Sequence, residues 1–198
     1  MLGEHLLWVE ATWFMAPRLL GEVKIQERCP TMKHSVAVAL AAITFGLSLS
    51  ASPALAQNAA QIAKVQAGAS CPKCNLFQAD LNTRTLKAKN FSGARLRQAD
   101  LSLGSFNRSR FDGADLRDVN GFGALFSGAN FARADLTNAN LVGAYLEGAN
   151  FSGANLSGVI LSGAELSTAR GLTQAQLDKT CGDKATRLPS GLRIPVCR

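Results

Sequence analysis

Two cysteines three residues apart, Cys71-Pro72-Lys73-Cys74, are the residues of this chain best spaced for chemistry. A C-x-x-C pair can exchange electrons with another dithiol, supply half of a zinc site, or close a local disulfide. The carboxylates Asp80, Asp100, Asp115 and Asp135 are the candidates for acid and base work. Both histidines, His5 and His34, lie ahead of an expected export cleavage site, so the remaining chain holds no imidazole for Ser-His or Cys-His catalysis. Glycines recur singly, as at Gly148, Gly153, Gly158 and Gly163, with no spacing that would cradle a phosphate. No catalytic set, resident metal or cofactor is expected, and the carboxylates read as a solvated face.

Charge points to binding instead. Lys and Arg number 21 against 14 Asp and Glu, a formal charge of +7. Arg18, Lys24, Arg28 and Lys33 are offset by Glu4, Glu10, Glu22 and Glu27, so the excess lies beyond Ala56. Lys87, Lys89, Arg95, Arg97, Arg108, Arg110 and Arg117 cluster within it and form a candidate anion-binding collar. In a cell envelope its partners would be phospholipid headgroups, lipopolysaccharide phosphates or an acidic protein; a merely solvated surface is the alternative. Nucleic acid is not expected.

The elements that must carry these residues are set by period. From Leu76 to Leu166 a Leu or Phe stands at every fifth position with one lapse, at Gly121, and Ala usually precedes it by two. Neither a helix of period 3.6 nor an alternating strand explains this. Phe91, Phe111, Phe131 and Phe151 add a strict twenty-residue recurrence, so one coil holds four units and like residues stack inside it. Runs such as Ala129-Asn130-Phe131-Ala132-Arg133 and Ala134-Asp135-Leu136-Thr137-Asn138 resemble the pentapeptide-repeat family over about half of the chain. The resemblance implies an all-β fold, a right-handed quadrilateral β-helix. At a rise of about 4.8 Å per coil, nearly five coils make a rod of roughly 23 Å. Arg84 and Lys89 occupy small-residue positions, so the first coil should be irregular there. At Gly121, Val119 is expected to fill part of the void, while Phe122 either points outward or swings in.

Residues 1–31 read as a mis-assigned upstream extension, and 32–56 as a signal peptide: Met32-Lys33-His34, an apolar run from Ser35 to Ser50, then Ala54-Leu55-Ala56 ahead of Gln57. A single membrane anchor is the alternative, although the run is short for spanning a bilayer. Residues 57–73 form an N-terminal cap, 74–170 the repeat β-helix, and 171–198 a C-terminal helix and tail. Cys71 and Cys74 enter the first coil while Cys181 and Cys197 follow the last, too far apart for cross-pairing, which needs Cα atoms within about 7 Å. Two local disulfides are therefore expected, in an oxidising compartment.

Outside the coil, Leu103, Phe122, Leu125, Val142, Tyr145 and Ile160 should share one corner, a patch for a partner protein or a second copy. The expected function is a non-enzymatic scaffold or interaction module, periplasmic or secreted. A thiol-redox protein using Cys71 and Cys74 is the alternative. The resemblance raises one more: some relatives mimic DNA and bind topoisomerases, a mechanism that needs an acidic surface this basic chain lacks.

Overall fold

The computed structural model describes residues 57–198; the upstream extension, the signal segment, His5 and His34 lie outside them. From Asn75 onward the backbone pairs with itself at an offset of twenty residues, in parallel bridges such as Asn75↔Arg95, Arg95↔Asp115 and Asp115↔Asp135. Hydrogen bonds of 2.7–3.1 Å run between coils beside the bridges, as in Leu76 N–H to the Arg95 carbonyl and Arg95 N–H to that of Cys74. Four five-residue units therefore close one coil. Each unit ends in a tight turn, for example Ala79 N–H to the Leu76 carbonyl at 3.1 Å. The third residue of that turn has positive φ, the requirement of a type II turn, which is why Gly recurs there.

The expectation of an all-β chain needs adjustment. Among the described residues the bridges are isolated single-residue pairs, and the continuous elements are two helices. The reason is arithmetic within the unit: two of five residues form the turn, leaving too few for a strand on any side.

Inside, Phe91, Phe111, Phe131 and Phe151 stack with ring centroids 5.2 Å apart and interplanar angles of 8–21°. Phe106 and Phe126 make a second stack at 5.4 Å and meet the first edge-on. Each ring thus keeps the offset or edge contacts that aromatic quadrupoles favour. Leu ladders and the small alanines complete a continuous buried core.

The two irregular sites resolve differently. Gly121 keeps its place in the ladder, with its N–H on the Asn140 carbonyl at 2.7 Å. A Cβ there would come within 2.8 Å of Leu141 Cδ2, so Leu141 of the next coil occupies the space, alongside buried Val119, and Phe122 points outward. At Lys89 the long side chain leaves the core and the usual turn bond to the Leu86 carbonyl is missing. The Ser109 hydroxyl, fully buried one coil on, replaces it: it accepts the Lys89 N–H at 3.0 Å and donates to the Leu86 carbonyl at 2.7 Å. Arg84 is exposed but retains its turn bond, so only Lys89 disturbs the backbone.

Helix α1, Ala59–Gln66, starts at Asn58, whose side chain accepts the Gln61 N–H, and buries Val65 against the first coil. Gln61 and Gln66 bond the Asn75 N–H and the Asp80 carbonyl, satisfying backbone groups of a coil that has no predecessor. Helix α2, Gln174–Leu177, has a complete Thr173 and Gln176 capping box and buries Leu177. Beyond it the tail continues the ladder through Cys181↔Ile160 and Glu165↔Arg187.

Replacing Phe131 by Ala should cost about 3–5 kcal/mol, since a rung between two rings leaves a cavity. Asn130→Ala, which removes one acceptor for the Ala132 N–H, should cost about 1 kcal/mol. Denaturant unfolding of the two variants measures the difference; equal losses would overturn the assignment of inside and outside.

Candidate functional site

The aspartates are fixed by the backbone. Each sits at a bridging position, and its carboxylate accepts the N–H two residues on: Asp80 from Asn82 at 3.2 Å, Asp100 from Ser102 at 3.0 Å, Asp115 from Arg117 at 3.3 Å, Asp135 from Thr137 at 3.1 Å. Asn90, Asn120, Asn130 and Asn140 do the same. These are Asx turns, short polar side chains standing in for a backbone acceptor. Besides facing outward, the carboxylates and amides hold the turns. The recurring Asp or Asn just before each Leu or Phe carried that signal.

Ion pairs engage three arginines of the basic collar. Arg117 forks onto Asp115, at 2.7 Å, and lies 3.7 Å from Asp135. Arg97 pairs with Asp118 at 3.2 Å and Arg110 with Asp112 at 3.0 Å. The Arg117 hydrogen bond holds the Asp115 carboxyl below the usual carboxylate range, and Arg110 does the same for Asp112. Arg95 lies over the Phe77 ring, 5.0 Å from its centre. Lys87, Lys89 and Arg108 have no carboxylate within ion-pair distance among the described residues. Beside them is a cleft of about 370 Å³ lined by Lys87, Ala88, Asn107, Arg108 and Ser127.

The apolar residues meet across coils. Leu103 is 60% exposed, Phe122 47%, Leu125 36%, Tyr145 51% and Ile160 39%, while Val142 is half-buried. Leu125 and Tyr145 are bridge partners. Leu103 bonds the Phe122 carbonyl at 2.9 Å, and Val142 accepts from Gly123 at 2.9 Å, so these three lie on successive coils. Ile160 stands one coil beyond Asn140, at the margin of the group. Val196, 73% exposed in the tail, was not singled out by sequence because it lies outside the repeat.

Cys71 and Cys74 are joined, with Cα atoms 5.5 Å apart, and are only 3% and 9% exposed. Cys71 fills the core position stacked against Phe91, and Cys74 the small-residue position against Ala94. Cys181 and Cys197 are joined at a Cα separation of 4.8 Å and tie the ladder's end to the tail. No cluster of metal-ligating side chains occurs among the described residues.

Residues 90–120 and 124–163 match the model of pentapeptide repeats, in eight copies. Among solved structures, a pentapeptide repeat protein from the thylakoid lumen of Arabidopsis thaliana is 36% identical over 45% of this chain and 55% of its own, with a TM-score of 0.25. HetL of Nostoc sp. strain PCC 7120, a pentapeptide repeat protein involved in the regulation of heterocyst differentiation, is 26% identical over 65% of this chain and 60% of its own, TM-score 0.36. The pentapeptide repeat protein Rfr23 of the cyanobacterium Cyanothece 51142 is 26% identical over 56% and 64%, TM-score 0.27. The chain thus spans less than two thirds of the length of each. No curated protein matches it.

Asp115 supplies a pH test. Its folded-state pKa is depressed, so the stability it contributes is present above the unfolded carboxylate value, near 4, and is lost as pH falls through the folded value. Asp115→Asn keeps an acceptor for the Arg117 N–H but removes the titrating charge. Thermal melts between pH 2 and 7 should show a shallower acid decline for the variant; an unchanged decline would mean the pair contributes nothing.

Proposed function

We propose, from the premise that this coil is built of pentapeptide repeats, that the chain is a non-enzymatic interaction module exported to the periplasm or cell exterior. The coil is read as a right-handed quadrilateral β-helix. Four units per twenty-residue step support the four sides, and the hand follows the family resemblance. A scaffold tied by backbone bonds from coil to coil presents a fixed, extended outer face of the kind that repeat proteins use for binding.

The apolar corner carries the reading. Leu103, Phe122, Leu125 and Tyr145 expose large side chains on neighbouring coils of an otherwise polar outer face. Covering such a patch releases its hydration water, and the aromatics are the natural anchors for a partner protein or a second copy of this chain. Export is supported by the layout of 32–56 and by two local cystines, which form most readily in an oxidising compartment. The redox alternative is weakened by the burial of Cys71 and Cys74 at core positions, since an exchanging disulfide must be reached by a thiolate.

Changing Leu125 and Tyr145 together to Ser should leave the melting curve nearly unaltered and abolish self-association or partner capture in sedimentation. A variant that unfolds would show these side chains packing internally. Export predicts Gln57 as the N-terminus of protein recovered from an osmotic-shock fraction; intact Met1 in the cytosol would refute it.

A further inference from the structure

The unpaired remnant of the basic cluster is more specific than the cluster. Every polar side chain lining the cleft is a potential hydrogen-bond donor: the Lys87 ammonium, the Arg108 guanidinium, the Ser127 hydroxyl and the Asn107 amide. Asn107 is oriented by its own bond, its Oδ1 accepting the Ser127 N–H at 2.9 Å, which leaves Nδ2 to donate. No carboxylate lines the space. Along the same column the first acidic residue is Glu147, one coil beyond Ser127 and so about 5 Å further along; it is not among the residues lining the cleft.

The backbone adds a second, independent observation. The N–H groups of Lys87 and Asn107 have no acceptor among the described residues. Where the bridge position is Asp or Asn, the equivalent N–H is held by its side-chain oxygen at 3.0–3.3 Å, as at Ser102 and Arg117; after Arg95, Arg110, Tyr145 and Ile160 it too has no acceptor among the described residues. On this side the preceding bridge positions are Thr85 and Ser105, which supply no such oxygen. On its other sides the fold completes this backbone with a side-chain oxygen, an Asn amide or an Asp carboxylate.

We infer that the cleft at Lys87, Asn107, Arg108 and Ser127 binds a phosphomonoester, carried either by a small soluble molecule or by a lipid headgroup. Two cations and several neutral donors exceed what one carboxylate can accept, and match a dianionic group with three equivalent oxygens. A volume of about 370 Å³ leaves room for the carbon skeleton attached to it. The site is open to water, so its attraction weakens with salt. Its lining shares no residue with the apolar corner, although Ser127 stands two residues beyond Leu125.

The variants can be chosen so that folding is not at risk. Arg108 has φ of 59°, and its counterpart on the next coil is Gly128 at 68°, so Arg108→Gly suits the backbone. Lys87 is exposed, and Lys87→Gln removes only its charge. Arg133→Gly is a matched control: the same substitution at the same backbone conformation, φ 58°, on another side of the coil. The full chain would be titrated at low salt with glycerol 3-phosphate by calorimetry, and co-sedimented with phosphatidylcholine vesicles with and without phosphatidic acid. Saturable binding of glycerol 3-phosphate identifies a soluble source; binding to phosphatidic acid vesicles alone identifies the headgroup. In either case the Lys87→Gln, Arg108→Gly double variant should weaken binding at least about tenfold, as loss of charge-assisted bonds requires, and Arg133→Gly less than about twofold. Failure of the wild-type chain to bind either probe, or equal binding by the double variant, would overturn the proposal.

Discussion

Every feature of this molecule depends on the backbone bonding to itself twenty residues away. A single coil has its peptide groups facing up and down with nothing to meet them, and too little interior to bury. Stacking satisfies both needs at once, because each inter-coil hydrogen bond also brings one Leu or Phe over its like. The ring spacing of 5.2 Å in the Phe ladder follows from the coil separation that those bonds impose. Peptide bonding and core packing are thus one constraint, and the ends, where it fails, are closed by α1 and by the tail.

The exceptions show how stiff that constraint is. At Gly121 a missing side chain is absorbed by Leu141 without any shift of the ladder, because the hydrogen bonds cost more to break than one side chain costs to lean. At Lys89 the opposite problem arises, a side chain too long for the interior. The turn opens there, and the two backbone groups it exposes are taken by the Ser109 hydroxyl, as buried polar groups must be.

The same constraint decides what the outer face can do. Residues twenty apart are neighbours, so a charge is neutral or free according to what stands one coil away or two residues along. Arg117 is neutralised because Asp115 and Asp135 sit within its reach; Arg108 is free because its own column offers Ala88 and glycines and no carboxylate stands within ion-pair distance among the described residues. The apolar corner arises likewise, from two columns that receive apolar residues on consecutive coils, Phe122 with Val142 and Leu125 with Tyr145.

The core was legible in the chain, because a strict period leaves little choice of what stacks on what: Phe91, Phe111, Phe131 and Phe151 could be aligned on paper. So could the outward direction of Leu125 and Tyr145. Three things were not legible. The turn-holding role of the aspartates was one, since the recurring Asp or Asn before each Leu or Phe fits an outward solvated face equally well and the partner N–H carries no mark of its own. The seven basic residues looked like one collar, since ion pairing depends on side-chain reach around corners that a column of letters does not measure. The repair at Lys89 needed Ser109 to lie beside it in space, although the two are twenty residues apart. Sequence period fixes the ladder because that pattern is one-dimensional; which donors stay unpaired beside it is a matter of distances in three dimensions, and only the folded coil sets them.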